Sequence, residues 1–276
     1  MDIIYSFMKN TVAFSLPVLF AAIGGLFTAL AGTLNIALEG LMLIGAFSSL
    51  AVYYFSGSAA AAIASAIITA AALSVLHSFV FFKLRANLFI SGLAINLFSA
   101  SFCTLLSEKI FKTKGVIAAA SNLQLLNQSI FLALFILILT WVLIYKTPFG
   151  YRLRACEKNS ISLLSLGIKP EKYQVIAIIL SGVFCGIGGS FLSLNLGAYV
   201  PGMSAGRGWI ALAVIFLGMR RPFGILAASL AFALAETFSI YAQGFWSLPA
   251  DFILAFPYIC TLAATIVVSL IPKKSP

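Results

Sequence analysis

The sequence predicts an all-α polytopic membrane protein, and its composition and charge spacing are the reasons. Of its 276 residues, 62% are apolar and only 9% are charged, whereas soluble domains are about 45–50% apolar and about 25% charged. The charged residues divide the chain into apolar stretches near the roughly 20 residues that a bilayer-spanning helix needs. A soluble globular protein, a disordered tail and a fibrous array are therefore excluded. We expect one membrane domain over residues 1–276.

We predict about nine hydrophobic segments. The first lies between Lys9 and Glu39, and the stretch from Glu39 to Lys83 is long enough for two helices. A further apolar segment, Arg207–Met219, is short for a full span and predicts a broken helix. The remaining segments are 87–107, 129–145, 173–196, 222–243 and 250–271.

Basic residues predict the orientation, because cytoplasmic loops of membrane proteins are rich in Lys and Arg. Segment 146–172 has six basic and two acidic residues, so we expect it in the cytoplasm. Alternating spans bring Lys83/Arg85, Arg220–Arg221 and Lys273–Lys274 to the same side, with the N-terminus outside and the C-terminus inside. The loop 107–128 is an exception, since it falls outside with a net charge of +2. The total of +10 thus indicates topology rather than nucleic-acid binding.

An eleven-residue pattern occurs twice, starting at Phe20 and at Phe184. FAAIGGLFTAL and FCGIGGSFLSL share six residues at an offset of 164, and each copy leads to a charged residue followed by glycine, at Glu39 and at Arg207. Chance similarity between glycine-rich helices is the alternative, because small residues recur wherever membrane helices pack closely. The copies lie on the first and the sixth predicted segments, an odd number of steps apart, so they run in opposite directions and we predict an inverted repeat with halves at about 11–107 and 173–271.

No enzyme signature is present in the sequence. The Gly-x-x-x-x-Gly-Lys-Ser/Thr loop that binds ATP phosphates does not occur, so ATP hydrolysis would need a separate subunit. The single histidine, His77, has no partners for a catalytic relay or a metal site, and we interpret it as a packing residue. The four cysteines lack Cys-x-x-Cys spacing and resemble small buried apolar residues. We expect no metal and no cofactor in this chain.

Three charged residues inside apolar stretches are candidates for a transport pathway. A charge in the bilayer is costly and usually faces a cavity or a partner, which applies to Glu39, Arg207 and Glu236. Glu39 and Arg207 each precede a glycine at the expected start of a broken helix, where free backbone N–H groups suit polar substrate groups. The alternatives are a helix cap for Glu39, an interfacial position for Arg207 and an interhelical hydrogen bond for Glu236.

Segment 146–172 also predicts a docking site. Pro148 and Gly150 end the preceding span, and Ile161, Leu164 and Ile168 then lie on one face of a short amphipathic helix. A solvated loop has no need of such a face, so we predict that this segment docks a soluble partner.

Four blocks of the sequence resemble the permeases of ABC transporters for branched-chain amino acids, ribose and nucleosides. Residues 32–47, with an Asn-Ile-x-x-Glu-Gly form, resemble the early signature of the nucleoside branch, and residues 90–96 resemble a middle motif. Residues 147–168 resemble the cytoplasmic coupling motif, and residues 201–213 resemble the late signature. Cys156 and the Phe-Pro-Tyr at 256–258 depart from the usual pattern without weakening the resemblance.

The resemblance implies the transmembrane subunit of an ABC importer in the cell membrane. Its partners would be a second permease, identical or homologous, ATP-binding subunits that hold ATP and Mg²⁺, and a substrate-binding lipoprotein or periplasmic protein. The implied cargo is a nucleoside, with a simple sugar as the alternative. An ion-coupled secondary transporter also fits an inverted repeat, but it needs no docking helix, and a purely structural scaffold would tolerate changes at Glu39 or Arg207. The implied pathway residues are Asn35, Glu39, Asn96, Arg207 and Glu236, and the implied coupling residues are Arg152, Glu157, Leu164 and Gly167.

Overall fold

A computed structural model of the protein describes residues 2–119 and 126–243, together with Ile259. This part of the chain folds into ten helices and one short antiparallel ribbon, in which two residues of β1 pair with two of β2. The elements are α1 Asp2–Leu30, α2 Leu38–Ser56, α3 Ala59–Phe82, α4 Leu88–Phe111, β1 Ile117–Ala118, α5 Leu126–Lys146, α6 Pro148–Lys158, α7 Ser160–Ser165, α8 Pro170–Leu196, β2 Ala198–Tyr199, α9 Arg207–Leu217 and α10 Pro222–Ala242.

Seven of these helices, α1 to α5, α8 and α10, are long and apolar enough to cross a membrane. The protein is therefore a multi-pass membrane protein. Helix α9 is apolar but has only eleven residues, in agreement with the short segment expected there. The last predicted segment, 250–271, lies outside the described residues, so the total of about nine segments stays a prediction.

Proline and glycine set several helix boundaries. Pro148, Pro170 and Pro222 each stand in the first turn of a helix, where their missing N–H group costs no hydrogen bond. Gly57 and Gly197 end α2 and α8 in the left-handed conformation that glycine adopts without strain. These boundaries follow from local sequence, because both residue types restrict or free the backbone directly.

Helices α1, α2 and α8 form the centre of the molecule. In the most apolar stretch of α1, 83% of the residues are buried, against 28% in α3 and in α4. Helices α1 and α8 pack antiparallel, with the rings of Phe20 and Phe191 stacked at 5.5 Å and those of Phe27 and Phe184 at 5.8 Å. The outer helices expose apolar side chains, as lipid-facing helices do.

Glycines of α8 allow its two neighbours to approach closely. A methyl group at Gly186 would come within 2.5 Å of the Ala66 carbonyl oxygen in α3, and one at Gly189 would collide with the Met42 carbonyl in α2. Small residues let the backbones of membrane helices make contact, which is the main source of packing energy where no hydrophobic effect operates between helices. Helix α8 is thus held between α2 and α3 by backbone contact.

Three basic segments, Lys83/Arg85, 146–172 and Arg220–Arg221, lie at one end of the helix bundle, whereas Lys109, Lys112 and Lys114 lie near the ribbon at the other end. Helices α3 and α8 run antiparallel, since Gly182 faces Ala70 while Gly186 faces Ala66. The end of α3, which precedes Lys83, is therefore level with the start of α8. Arg220 joins the same end through its ion pair with Glu157. The ribbon of β1 and β2 lies at the opposite end, after α4 and α8 have crossed the bundle.

Candidate functional site

The chain between α1 and α2 is held by the side chain of Asn35, which is fully buried. The Asn35 Oδ1 accepts a hydrogen bond from the Ala37 N–H at 2.9 Å, and its Nδ2 donates to the Ser181 Oγ of α8 at 2.7 Å. The Asn35 N–H donates in turn to the Thr28 hydroxyl at 3.2 Å. The Asn35 amide therefore fixes both the break between α1 and α2 and the position of that break against α8, because an amide can accept and donate hydrogen bonds at the same time.

Asn96 of α4 caps the start of α2 from a neighbouring helix. Its Oδ1 accepts from the Gly40 N–H at 2.8 Å, and its Nδ2 donates to the Ile36 carbonyl at 3.0 Å. The residue before α2, Ala37, has no side chain that could cap the helix. Asn96 thus satisfies one of the backbone donors that every helix start leaves free.

Glu39 caps a helix, but not the one in which it lies. Its Oε1 accepts from the Gly206 N–H at 2.8 Å and its Oε2 from the Gly208 N–H at 2.7 Å, so the carboxylate binds the N-cap residue and the second residue of α9. A negative charge is favourable at the positive end of a helix dipole. A methyl group at Gly208 would come within 2.5 Å of the Glu39 Cα, so the starts of α2 and α9 are in contact.

Arg207 pairs with Glu236 of α10 rather than with Glu39. Its Nη2 lies 2.7 Å from the Glu236 Oε1, and the two side chains are 14% and 20% exposed. Its Nη1 donates to the Met203 carbonyl at 3.4 Å. The Arg207 Nε and the Glu236 Oε2 have no hydrogen-bond partner among the described residues. The pair therefore joins α9 to α10 and keeps unused hydrogen-bonding capacity.

A cavity of about 300 Å³ lies between α1 and α8, near the junction at which the starts of α2 and α9 meet. Phe14 and Pro17 of α1, Phe191 and Asn195 of α8, and Arg207 contribute to its wall. We call it the α1–α8 cavity. Of the five predicted pathway residues, Arg207 lines this cavity and Glu236 binds Arg207. Asn35, Asn96 and Glu39 bind backbone groups near the starts of α2 and α9.

A larger cavity, of about 1200 Å³, opens between α5 and α10. Its wall is made mainly of alanine and aromatic side chains, and Arg154, Lys158 and Arg221 lie at one end. None of the predicted pathway residues borders it.

His77 has a structural contact that agrees with the packing interpretation. It is buried in α3, and its Nε2 lies 3.1 Å from the hydroxyl of Ser91 in α4. In the part of the chain that the structure describes, no three His, Cys, Asp or Glu side chains are grouped so that they could bind a metal ion.

Segment 146–172, which we call the coupling segment after its predicted role, contains two short helices, α6 and α7, instead of a single amphipathic one. The Thr147 hydroxyl accepts from the Gly150 N–H and begins α6, which ends at Lys158. The side chain of Asn159 then begins α7 by accepting from the Ser162 N–H at 3.1 Å. Gly167 follows α7 with a positive φ of 74°, which glycine adopts without strain.

Glu157 contacts the helix bundle at its edge and remains exposed to solvent. It forms an ion pair with Arg220, which lies in the connection between α9 and α10. On its other side, a methyl group at Gly32 would be 3.2 Å from the Glu157 Cα, so Glu157 also lies against the interruption after α1. Arg152 is bonded to the same bundle through the Tyr173 hydroxyl at 2.9 Å.

The outward side of α7 is apolar. Ile161, Leu164 and Leu166 are 78%, 59% and 75% exposed, whereas Leu163 is buried against the bundle. Ile168, predicted for the exposed face, is half-buried, and Leu166 takes its place. The helical spacing missed Leu166 because the helix ends at Ser165 and the chain turns there.

Comparisons with known proteins agree along almost the whole chain. The family described as "Branched-chain amino acid transport system / permease component" matches residues 7–268. The guanosine ABC transporter permease protein NupQ of Bacillus subtilis is 30% identical, over 92% of this chain and 89% of its own length. The nucleoside ABC transporter permease protein NupC of Lactococcus lactis is 29% identical over the same shares. The putative glucose ABC transporter permease protein TsgC13 of Haloferax volcanii is 27% identical, over 86% and 77%.

Proposed function

This chain belongs to the family of permease components of branched-chain amino acid transport systems, and on that basis we propose that it is the membrane subunit of an ABC importer for nucleosides. The observation that carries the proposal is its similarity to two nucleoside-type permeases over nine-tenths of the chain. The family match over residues 7–268 spans all the described helices except the first residues of α1, so the similarity concerns the whole membrane domain and not a single motif.

The importer would contain several further subunits in the cell membrane. ATP-binding subunits would hold ATP and Mg²⁺ on the cytoplasmic side, a second permease would complete the pathway, and a binding lipoprotein or periplasmic protein would deliver the nucleoside. The end of the bundle that carries Lys83, segment 146–172 and Arg220 would face the cytoplasm, since its basic residues satisfy the positive-inside rule. The C-terminus would lie on that side as well.

The exposed face of α7 would be the ATPase docking site. Three large apolar side chains, Ile161, Leu164 and Leu166, lie together on a basic segment that is outside the apolar spans. An apolar patch on a water-exposed surface typically marks an interface. Leu163 on the opposite side of α7 fixes the helix to the bundle, so a force on the exposed face would reach the membrane helices.

Glu157 would transmit a movement of the docked segment to the two connections that follow α1 and α9. It lies between Gly32, which follows α1, and Arg220, which follows α9. The starts of α2 and α9 are themselves joined by the carboxylate of Glu39. A shift of α6 would therefore displace both ends of the region where α2 and α9 meet, which we assign as the moving part of the pathway.

The contacts of α1 and α8 support an inverted repeat. At the offset of 164, Phe20 corresponds to Phe184 and Phe27 to Phe191, and the two stacked pairs exchange these partners. The glycines of the repeat obey the same rule. A methyl group at Gly24 would be 2.9 Å from the carbonyl oxygen of residue 181, and one at Gly188 would be 2.8 Å from that of residue 17, its equivalent. Reciprocal contacts between antiparallel helices are typical of an inverted repeat about a two-fold axis in the membrane plane.

A simple sugar is the second candidate cargo, because a putative glucose permease protein is among the relatives. The substrate can be decided by uptake into proteoliposomes that contain the complete complex and its binding protein. We expect labelled guanosine to accumulate and to be displaced by other nucleosides, with glucose in hundredfold excess having no effect. Accumulation of glucose that nucleosides do not reduce would contradict the proposal.

A further inference from the structure

We propose that the α1–α8 cavity is a subsite for the base of the transported nucleoside, on the external half of the pathway. This inference rests on the proposed function. The cavity's volume of about 300 Å³ is at the lower limit of ligand pockets, which suits a single small molecule. Helices α1 and α8, which belong to the buried centre of the bundle, form its two sides.

Two phenylalanine rings give the cavity its preference for a flat ligand. Phe14 is partly exposed on the α1 side, and Phe191 lies opposite on α8. The ring of Phe191 is stacked on Phe20 at 5.5 Å, which fixes its orientation. Every nucleobase has a planar face that can stack on an aromatic ring, whichever polar groups lie along its edge. A ribose without a base offers no such face.

Asn195 gives the same cavity a hydrogen-bonding group. Its side chain lines the wall, is partly exposed, and makes no hydrogen bond to any residue in the described ranges. An amide has two donors and an acceptor, which matches the mixed donors and acceptors on the edge of a base. An apolar ligand would leave these groups without partners.

The charge balance of the cavity favours an uncharged ligand. Among the described residues that line the cavity, Arg207 is the only charged one, and its ion pair with Glu236 at 2.7 Å compensates the charge. A phosphate group would have to displace a carboxylate that is mostly buried, and removing one member of such a pair is costly. A nucleoside therefore fits this site and a nucleotide does not.

The location of the cavity places it before the junction of α2 and α9. Asn195 is 25 residues beyond the start of α8, which lies against the coupling segment, so it is about 38 Å away along the helix axis. Arg207 both borders the cavity and begins α9, whose first turn Glu39 binds. A nucleoside arriving from outside would thus meet Phe14, Asn195 and Arg207 before it reaches the junction.

Variants of Phe14 and Asn195 test this subsite in the complete complex, supplied with guanosine-loaded binding protein at saturation. Phe14→Leu removes the ring and keeps an apolar side chain, and Asn195→Ala removes the amide. We expect each to lower the rate of guanosine uptake about tenfold, within the range that a base stacked on an aromatic ring supplies. Phe14→Tyr keeps the ring and should retain uptake within about twofold. This control would show that the permease still folds when residue 14 is changed.

Phe131→Leu is the matched control, because Phe131 is 75% exposed on the lipid-facing side of α5, and this complex should transport like the wild type. As a direct probe, an azido derivative of guanosine should label segments 13–17 or 191–203 on illumination. Excess guanosine should prevent the labelling and guanosine monophosphate should not. Wild-type rates in both Phe14→Leu and Asn195→Ala, or an equal loss in Phe14→Tyr and Phe14→Leu, would overturn the subsite. A wild-type complex that transports no nucleoside would instead overturn the proposed function, and the subsite with it.

Discussion

At the scale of single residues, the charged side chains inside the bundle act through backbone groups and through one another. Glu39 binds two N–H groups of α9, and Arg207 binds Glu236 of α10. Each charge is thereby compensated, as is usual for ionisable residues within a membrane. Glu39 joins helices that are distant in sequence and Arg207 joins two consecutive helices, so a change at either residue affects how two helices meet.

Glu39→Gln should disconnect the starts of α2 and α9. The amide keeps one acceptor, but its NH₂ group would face the second backbone N–H, and the negative charge at the helix start is lost. Helix caps contribute about 1 kcal/mol and the charge a similar amount. We expect nucleoside uptake per inserted molecule to fall at least tenfold, measured in proteoliposomes. Glu108→Gln, at an exposed ion pair with Lys114, is the control and should have no effect. Equal uptake in Glu39→Gln and the wild type would show that this contact has no role in transport.

The pair of Arg207 and Glu236 should behave as one unit in stability. Removing either member leaves a mostly buried charge without its partner, which costs roughly 3–5 kcal/mol. We therefore expect Arg207→Gln and Glu236→Gln each to lower the melting temperature of the purified complex, and the double variant to be more stable than either. Additive losses in the double variant would mean that the two side chains do not stabilise each other.

At the scale of elements, the coupling segment presents two different faces. Helix α6 binds the bundle through Arg152 and Glu157, whereas α7 leaves Ile161, Leu164 and Leu166 exposed. Leu153, Cys156 and Leu163 pack on the bundle, so the segment has one apolar face against the bundle and a second apolar face that is exposed. This arrangement is suited to a helix that rests on the bundle and offers an apolar surface to a partner.

Leu164→Asp should separate ATP hydrolysis from transport. A charge in the centre of the apolar face would be buried without a partner on docking, which is strongly unfavourable. We expect the permease to insert normally, while nucleoside-stimulated ATP hydrolysis and uptake fall at least tenfold. Leu164→Met keeps the apolar contact and should retain both activities. Normal stimulation in Leu164→Asp would exclude this face as the docking site.

At the scale of the whole molecule, much of the architecture could be predicted from the sequence. The lengths of the apolar stretches predicted the described spans, and Pro148 predicted the end of α5, because both signals act locally. The family resemblance drawn from four motifs is confirmed by the match over residues 7–268. The partners of Glu39 and Asn96 could not be predicted, since they are backbone groups of helices that only the folded chain brings together. Asn195 was not singled out in the sequence, because its position in the wall of the α1–α8 cavity depends on how α1 and α8 pack.

The orientation of the molecule can be tested by thiol labelling of intact cells. Gly115→Cys lies in the exposed segment at the ribbon end, and Lys158→Cys lies at the coupling end. We expect an impermeant maleimide to label the first and not the second. The native Cys156 should contribute little, because burial raises the pKa of its thiol and lowers the fraction of reactive thiolate. Labelling at residue 158 and not at residue 115 would mean that the protein has the opposite orientation in the membrane.

The energy source tests the central claim most directly, because it separates an ABC permease from an ion-coupled transporter with an inverted repeat. The complete complex, reconstituted with its binding protein, should take up nucleoside when ATP is supplied on the side of segment 146–172. Ionophores that abolish proton and sodium gradients should leave this uptake unchanged. Uptake driven by an ion gradient in the absence of ATP would contradict the account.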